Sequence, residues 1–328
     1  MGIEFMKSGP IEIQSSLQAS ICAILLAFSS CATEPVADIG AADEAFNFGV
    51  MIMAHGGSEE WNAHLTEAAE PLKESYPVEI ALGMADAGSI EDAVRRLESR
   101  GVNHVGVVRV FISGESWYDR TLQILGVRDG APPKPDPERL KEMRANMGMP
   151  MGFWKIDTDL AFHVSVDGLA DASEIDEVIT ARIRSLSTDP AKEVAVVIAH
   201  GPGDDAENRR WLAKIAERTR HADKQLGLRE IRVFTLREDW PEKRRQAEQE
   251  IRAYIEQANA RGLTPIVVPY RLQGFGPYER VLNDLDYRAN GLGLLPHANV
   301  ALWIARQAQQ LEAQAAAAKA APALPAGF

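Results

Sequence analysis

The feature that most constrains this chain is a segment that occurs twice. Phe48-Gly-Val-Met-Ile-Met-Ala-His55-Gly56-Gly57 is matched by Val194-Ala-Val-Val-Ile-Ala-His200-Gly201-Pro202-Gly203, each an apolar run that closes on Ala-His-Gly. Acidic residues, an Asn and a Trp follow in both places: Glu59, Glu60, Trp61 and Asn62 in the first, Asp204, Asp205, Asn208 and Trp211 in the second. An apolar run without alternation, ended by Gly and followed by a long amphipathic stretch, is how a strand buried on both faces enters a helix. A duplicated unit fixes the architecture before any single motif does.

The pattern continues in each half. The first reads as a strand over Pro77–Met84, a helix over Ser89–Arg100 and a strand over Val105–Ile112; the second as a strand over Ile231–Leu236, a helix over Pro241–Ala260 and a strand over Pro265–Leu272. Between them, Asp159–Val166 reads as a strand and Ala172–Leu186 as a helix leading into the second half. Alternating strands and helices make parallel doubly wound sheets, which bind ligands at the carboxyl ends of their strands. The expectation is an α/β protein of two similar doubly wound lobes, 47–150 and 191–310, joined by 151–190 and facing a central cleft, with His55 and His200 at that end.

Charge narrows the partners. Lys+Arg of 35 against Asp+Glu of 47 gives a net charge of −12, which repels nucleic-acid phosphates and supplies no general pull toward anionic lipid. Both cysteines, Cys22 and Cys31, lie ahead of the repeat and cannot join a metal cage within it. The apolar run Ile21–Phe28 is too short to span a bilayer and ends in Ser29-Ser30-Cys31-Ala32, the layout of a signal peptide. Residues 1–32 are therefore read as a signal peptide of lipoprotein type with Cys31 lipidated, and 33–46 as a tether, with cleavage after Ala32 or a buried helix as alternatives. The location expected is the cell envelope, with membrane contact only through that anchor. Residues 311–328, rich in Ala and Pro, are expected to form a disordered tail.

A histidine at a strand end presents a ring nitrogen to a cleft. Neutral imidazole binds cobalt, nickel, iron and zinc and also accepts a proton. Insertion of a metal into a tetrapyrrole needs both abilities, because the ion must shed water while the pyrrole nitrogens lose protons. His163 and His297 are further ligand candidates, although each also reads as a residue of its strand or helix start. Arg109 and Arg271, on the last strand of each half, and Arg120 and Arg280 after the following loops are candidates to pair with carboxylate arms of a ligand, although each alone reads first as a solvated surface residue. Met143, Met147, Met149 and Met151 read as a flap over an apolar ligand, with a Cu(I) thioether site as a minor alternative. No Gly-x-Ser-x-Gly elbow, phosphate loop or His-Glu-x-x-His helix is present.

With these segments in view, both halves resemble the sirohydrochlorin cobaltochelatase family, over about 48–305. The fullest likeness lies in Val197-Ile-Ala-His-Gly-Pro-Gly-Asp-Asp-Ala-Glu-Asn-Arg-Arg-Trp211 and Gly293-Leu-Leu-Pro-His-Ala-Asn-Val-Ala-Leu-Trp303. The resemblance implies insertion of a divalent ion, Co2+ first and Ni2+, Fe2+ or Zn2+ as alternatives, into a sirohydrochlorin-type tetrapyrrole by a monomer with two pseudo-symmetric lobes and without a nucleotide. His55 and His200 would bind the ion and Glu115 or His163 would accept protons. The chain departs from the family where a second histidine is expected: Ser113-Gly114-Glu115-Ser116 and Gln273-Gly274-Phe275-Gly276 contain none. A non-catalytic envelope protein that binds metal or tetrapyrrole therefore stays open beside the enzyme.

Overall fold

The computed structural model describes residues 45–146 and 151–320, with side chains for 45–142 and 151–320. The proposed signal segment, Cys31, the side chains of Met143, Met147 and Met149, and the last eight residues lie outside the described residues.

The fold is α/β, built on two parallel sheets. In sheet A the strands are β1 (Phe48–Ala54), β2 (Val78–Leu82), β3 (His104–Arg109) and β4 (Ala161–Val164), in the order β2-β1-β3-β4. Sheet B holds β5 (Glu193–Ala199), β6 (Glu230–Thr235) and β7 (Thr264–Tyr270), in the order β6-β5-β7. The helices are α1 (Glu59–Ala69), α2 (Ala87–Glu98), α3 (Tyr118–Ile124), α4 (Pro137–Asn146), α5 (Glu174–Arg184), α6 (Asp205–Leu226), α7 (Pro241–Ala260), α8 (Tyr278–Val281) and α9 (Ala298–Ala320).

The two runs that end in histidine are the central strands, and all seven residues of each are buried. Their lack of alternation follows from cover on both faces. Met51 and Met53 pack outward with Ile90, Val94 and Leu97 of α2, while Val196 and Ile198 pack with Ile251 and Ile255 of α7. The opposite faces, Val50 and Ile52 of β1 and Ala195 and Val197 of β5, meet in one core filled by α1, α5, α6 and α9. Truncating one of these aliphatic side chains to Ala costs about 2–5 kcal/mol.

Helix starts follow the local chemistry. Ser58, Asp86 and Asp204 accept backbone N–H groups from Trp61, Ser89 and Glu207, capping α1, α2 and α6. Along α6, Lys214 pairs with Asp171 at 2.7 Å and Arg218 with Asp176 at 3.0 Å, tying sheet B's longest helix to the first turn of α5 and the residues just before it.

Two departures from the sequence reading concern connections. The strand after the Pro-rich loop is shorter than Asp159–Val166 and joins sheet A beside β3, in register His104↔Ala161 to Val107↔Val164. At the other end, α9 packs on β3, β4, α1 and α5. It runs to Ala320 with Leu311 and Ala315 buried, where a disordered tail is expected from 311. The reason is an apolar stripe at i, i+4, i+7 and i+11 that begins with Ile304 and Ala308. No helix among the described residues is long and apolar enough to cross a membrane.

Candidate functional site

His55 and His200 are held in the same way. Each follows the last residue of a central strand and precedes a glycine in the left-handed region, Gly56 at φ 79° and Gly201 at φ 78°. Each Nδ1 lies against the carbonyl of that glycine, at 2.7 Å for His55 and 2.8 Å for His200. A carbonyl only accepts, so Nδ1 donates there and each ring points Nε2 outward as the nitrogen available to a ligand. The histidines' own carbonyls accept from the next loop, from Gly83 N–H at 3.0 Å and Arg237 N–H at 2.7 Å. Both of those loop residues also have positive φ.

The two histidines line one cavity of about 390 Å³. Its walls include Trp61, Phe111, Trp117, Trp211 and Tyr270, and Glu207 contributes a carboxylate. Trp117 sits at φ 59°, a conformation that costs a bulky residue energy and here turns the indole toward the cavity.

The surroundings of the two rings differ. His200 Nε2 is 3.2 Å from the Asp239 carboxylate, and Trp240 stands edge-on to the ring at 6.3 Å. With Nδ1 donating, Nε2 faces the carboxylate as an acceptor, an arrangement that favours a cation between the two. Two donors each about 2.1 Å from a metal ion are about 3.0 Å apart at right angles and about 3.4 Å at tetrahedral angles, so the pair is spaced as neighbouring ligands. The rest of the loop supports the arrangement. Arg237 donates to the Pro202 carbonyl, to the Gly203 carbonyl at 2.6 Å and to Asp205 at 2.8 Å, while Glu238 pairs with Arg271 at 2.5 Å. At His55 the corresponding loop carries Asp86, which instead accepts from Ser89 N–H at 2.8 Å and Gly152 N–H at 2.6 Å. Among the described residues His55 has no ion pair, and no three His, Cys, Asp or Glu side chains form a ready metal cage.

The remaining residues singled out from the sequence take other places. Arg109 is fully buried and donates to the carbonyls of Gly114 at 3.0 Å, Ser165 at 3.1 Å and Ser116, with its guanidinium over the Tyr118 ring. Burial pulls its pKa down to about 10. It builds the 113–117 loop and has no face left for a substrate carboxylate, contrary to expectation. At Gly114 that loop runs so close to the β4 exit that a Cβ would strike the Val166 carbonyl. Arg120 is likewise spent on the carbonyls of Ala85, Met151 and Gly152. Arg271 does line the cavity, with Glu238 as its partner.

Glu115 makes a two-point pair with Arg210 of α6 at 2.8 and 2.5 Å, and this hydrogen-bonded partner holds its carboxyl below the usual range. It therefore joins the two halves of the molecule and is a poor proton acceptor, which corrects the role read from sequence. His163 corrects a second reading: it lies 3.4 Å from His104 and pairs in register with Gly106, which itself pairs with Val50. Val50 is five residues before His55 on a strand, or about 16 Å away. His297 corrects a third, since its Nδ1 accepts the Asn299 N–H at 3.1 Å where α9 begins, and it lines a separate cavity with His64. Of the four proposed ligands, the cavity gathers His55 and His200. Sequence reasoning missed Asp239, Glu207 and Trp117; the one signal for Asp239 is an acidic pair that begins two residues beyond the strand read over Ile231–Leu236.

Two parallel sheets under shared helices, with strand-end histidines converging from the two central strands, define a chelatase-type α/β architecture. Among solved structures, SirB from Bacillus subtilis with Fe3+ matches at a TM-score of 0.58 and 15% identity, over 83% of this chain and 98% of that one. The sirohydrochlorin chelatase SirB from Bacillus subtilis subspecies spizizenii in complex with cobalt matches at 0.52 and 14% identity, over 82% and 98%. No family model matches the sequence, and neither does any curated protein. At these identities the likeness establishes the fold.

Proposed function

We propose that the protein is a metal chelatase that inserts a divalent ion into a tetrapyrrole held in the His55–His200 cavity. The observation that carries this reading is the convergence of two strand-end histidines, each with Nε2 facing outward, on one aromatic-walled cavity. The ion is a substrate. His200 Nε2 and the Asp239 carboxylate receive it at neighbouring-ligand spacing, and the sparse donor set suits an ion that has to be handed on. The flat ring lies against Trp61, Trp117 and Trp211, where aromatic faces and burial favour it. As the ion enters, two pyrrole N–H protons leave; His55 Nε2 takes one and Glu207 is placed for the other. Cobalt is the ion proposed first, with one structural neighbour solved in complex with it, and Ni2+, Fe2+ and Zn2+ suit the same donors. Export with lipidation at Cys31 belongs to the same proposal and is checked by mass spectrometry of the mature N-terminus.

Anaerobic absorbance spectroscopy tests the activity, with Co2+ and either sirohydrochlorin or mesoporphyrin. Protein-dependent metallation of either ring over many turnovers is expected, and its loss in the double variant His55→Ala, His200→Ala with a native circular dichroism spectrum. Insertion retained in that variant refutes the reading. Saturable one-to-one binding without turnover identifies instead a carrier, a reading favoured by the loops 113–116 and 273–276, which contain no histidine.

A further inference from the structure

We propose that this cavity selects a macrocycle poor in carboxylates over a polycarboxylate one such as sirohydrochlorin. The inference rests on the tetrapyrrole reading above and narrows its substrate. It comes from the state of the cations. Tight recognition of acid arms needs guanidinium groups free to make two-point contacts, and the arginines around this cavity already have partners.

Arg109 is buried against three backbone carbonyls, and Arg237 holds the Pro202 and Gly203 carbonyls and Asp205. Arg210 is bound two-point by Glu115. Arg271 alone among Arg and Lys side chains of the described residues lines the cavity, and Glu238 neutralises it at 2.5 Å. Arg209 and Arg280, exposed on α6 and α8, do not line it. The acids point the other way. Glu207 lines the cavity and Asp239 stands beside His200.

A ring fringed with carboxylates brings like charge against Glu207, and at Arg271 it meets a guanidinium whose charge Glu238 already offsets through Nη1. A ring with apolar edges meets no such opposition and keeps the contact with Trp61, Trp117, Trp211 and Tyr270. The selection is therefore electrostatic, and salt screens it.

The test is a fluorescence titration of the full chain with two metal-free probes, mesoporphyrin as the dicarboxylate and uroporphyrin as the octacarboxylate. Quenching of tryptophan emission reports binding, since three tryptophans line the cavity. Mesoporphyrin is expected to bind at least tenfold more tightly, on the order of one decade for a few unpaired like charges. Uroporphyrin binding should strengthen as salt is raised, and Glu207→Gln should improve it severalfold, more than it changes mesoporphyrin binding. Equal or tighter uroporphyrin binding that weakens with salt overturns the selection. Quenching by neither probe overturns the tetrapyrrole reading along with it, whereas preferential mesoporphyrin binding without metal insertion overturns only the catalytic one.

Discussion

The two halves place a histidine with the same device and then treat it differently. In sheet A the loop after β2 spends its acid, Asp86, on the start of α2 and on Gly152 N–H, and His55 is left exposed at the cavity. In sheet B the loop after β6 turns its residues onto the site: Arg237 braces the chain beyond His200, Glu238 neutralises Arg271, Asp239 faces Nε2 and Trp240 flanks the ring. One architecture thus yields a ring suited to holding a cation and a ring free to accept a proton. Even the central strands differ at their first residues. β1 opens on Phe48, whereas β5 opens on Glu193, a buried carboxylate that accepts from Thr188 and Asp189 N–H and pairs with Arg288 at 2.6 Å.

The largest effects should come from the buried charges that fix each half. Arg109→Ala leaves three carbonyls of the sheet A loop and its exit without their donor, and is expected to cost about 3 kcal/mol in urea unfolding. A loss under about 1 kcal/mol would mean that the 113–117 loop holds itself. In sheet B the test is acid. Burial alone would raise the Glu193 pKa, but hydrogen bonds from Ser187, Asp189, Thr188 and Arg288 outweigh it and lower it from 4.5 to about 2. A carboxyl lowered in the folded state contributes stability that is complete above pH 4.5 and is lost as pH falls toward 2. Glu193→Gln should therefore remove about 2–3 kcal/mol at pH 7 and flatten the acid limb of the stability curve; an unchanged limb would refute this role for Glu193.

The histidines themselves sharpen the comparison. By isothermal titration with Co2+ and no macrocycle, His200→Ala is expected to weaken binding about 100-fold, on the order of 2.7 kcal/mol. His55→Ala should weaken it by less than about tenfold while depressing insertion as strongly. Equal losses of metal affinity in both variants would erase the division of labour between the halves.

Much of this is legible in the amino-acid sequence. The central strands, their burial and the convergence of His55 and His200 follow from apolar runs that close on the same three residues. The helix Pro241–Ala260 appears with its expected bounds, because Pro starts it and Gly262 lies just past its end. What sequence does not supply is which polar groups satisfy one another across the fold. Arg109 and Arg271 occupy matching positions in the chain, each with its guanidinium over the ring of a following tyrosine, yet one is buried among carbonyls and the other faces a cavity. Glu115 reads as a free acid until α6 brings Arg210 beside it from 95 residues away. His163 and His297 each have a local task, on an inner face of the sheet edge and at a helix start, that spacing alone does not separate from ligation.

Asp239 gives the finest test of the comparison, because it is exposed and its contact is with His200. Asp239→Asn keeps the shape and removes the charge, so Co2+ affinity is expected to fall about tenfold with no change in urea midpoint. In a double-mutant cycle with His200→Ala the two losses should not add, since both side chains serve one ion at a spacing of 3.2 Å. The same substitution combined with His55→Ala should add, because among the described residues Asp239 pairs with His200 and not with that ring. Additivity with His200 would place the ion elsewhere in the cavity and leave the loop after β6 as a brace for Arg271 and the chain beyond His200.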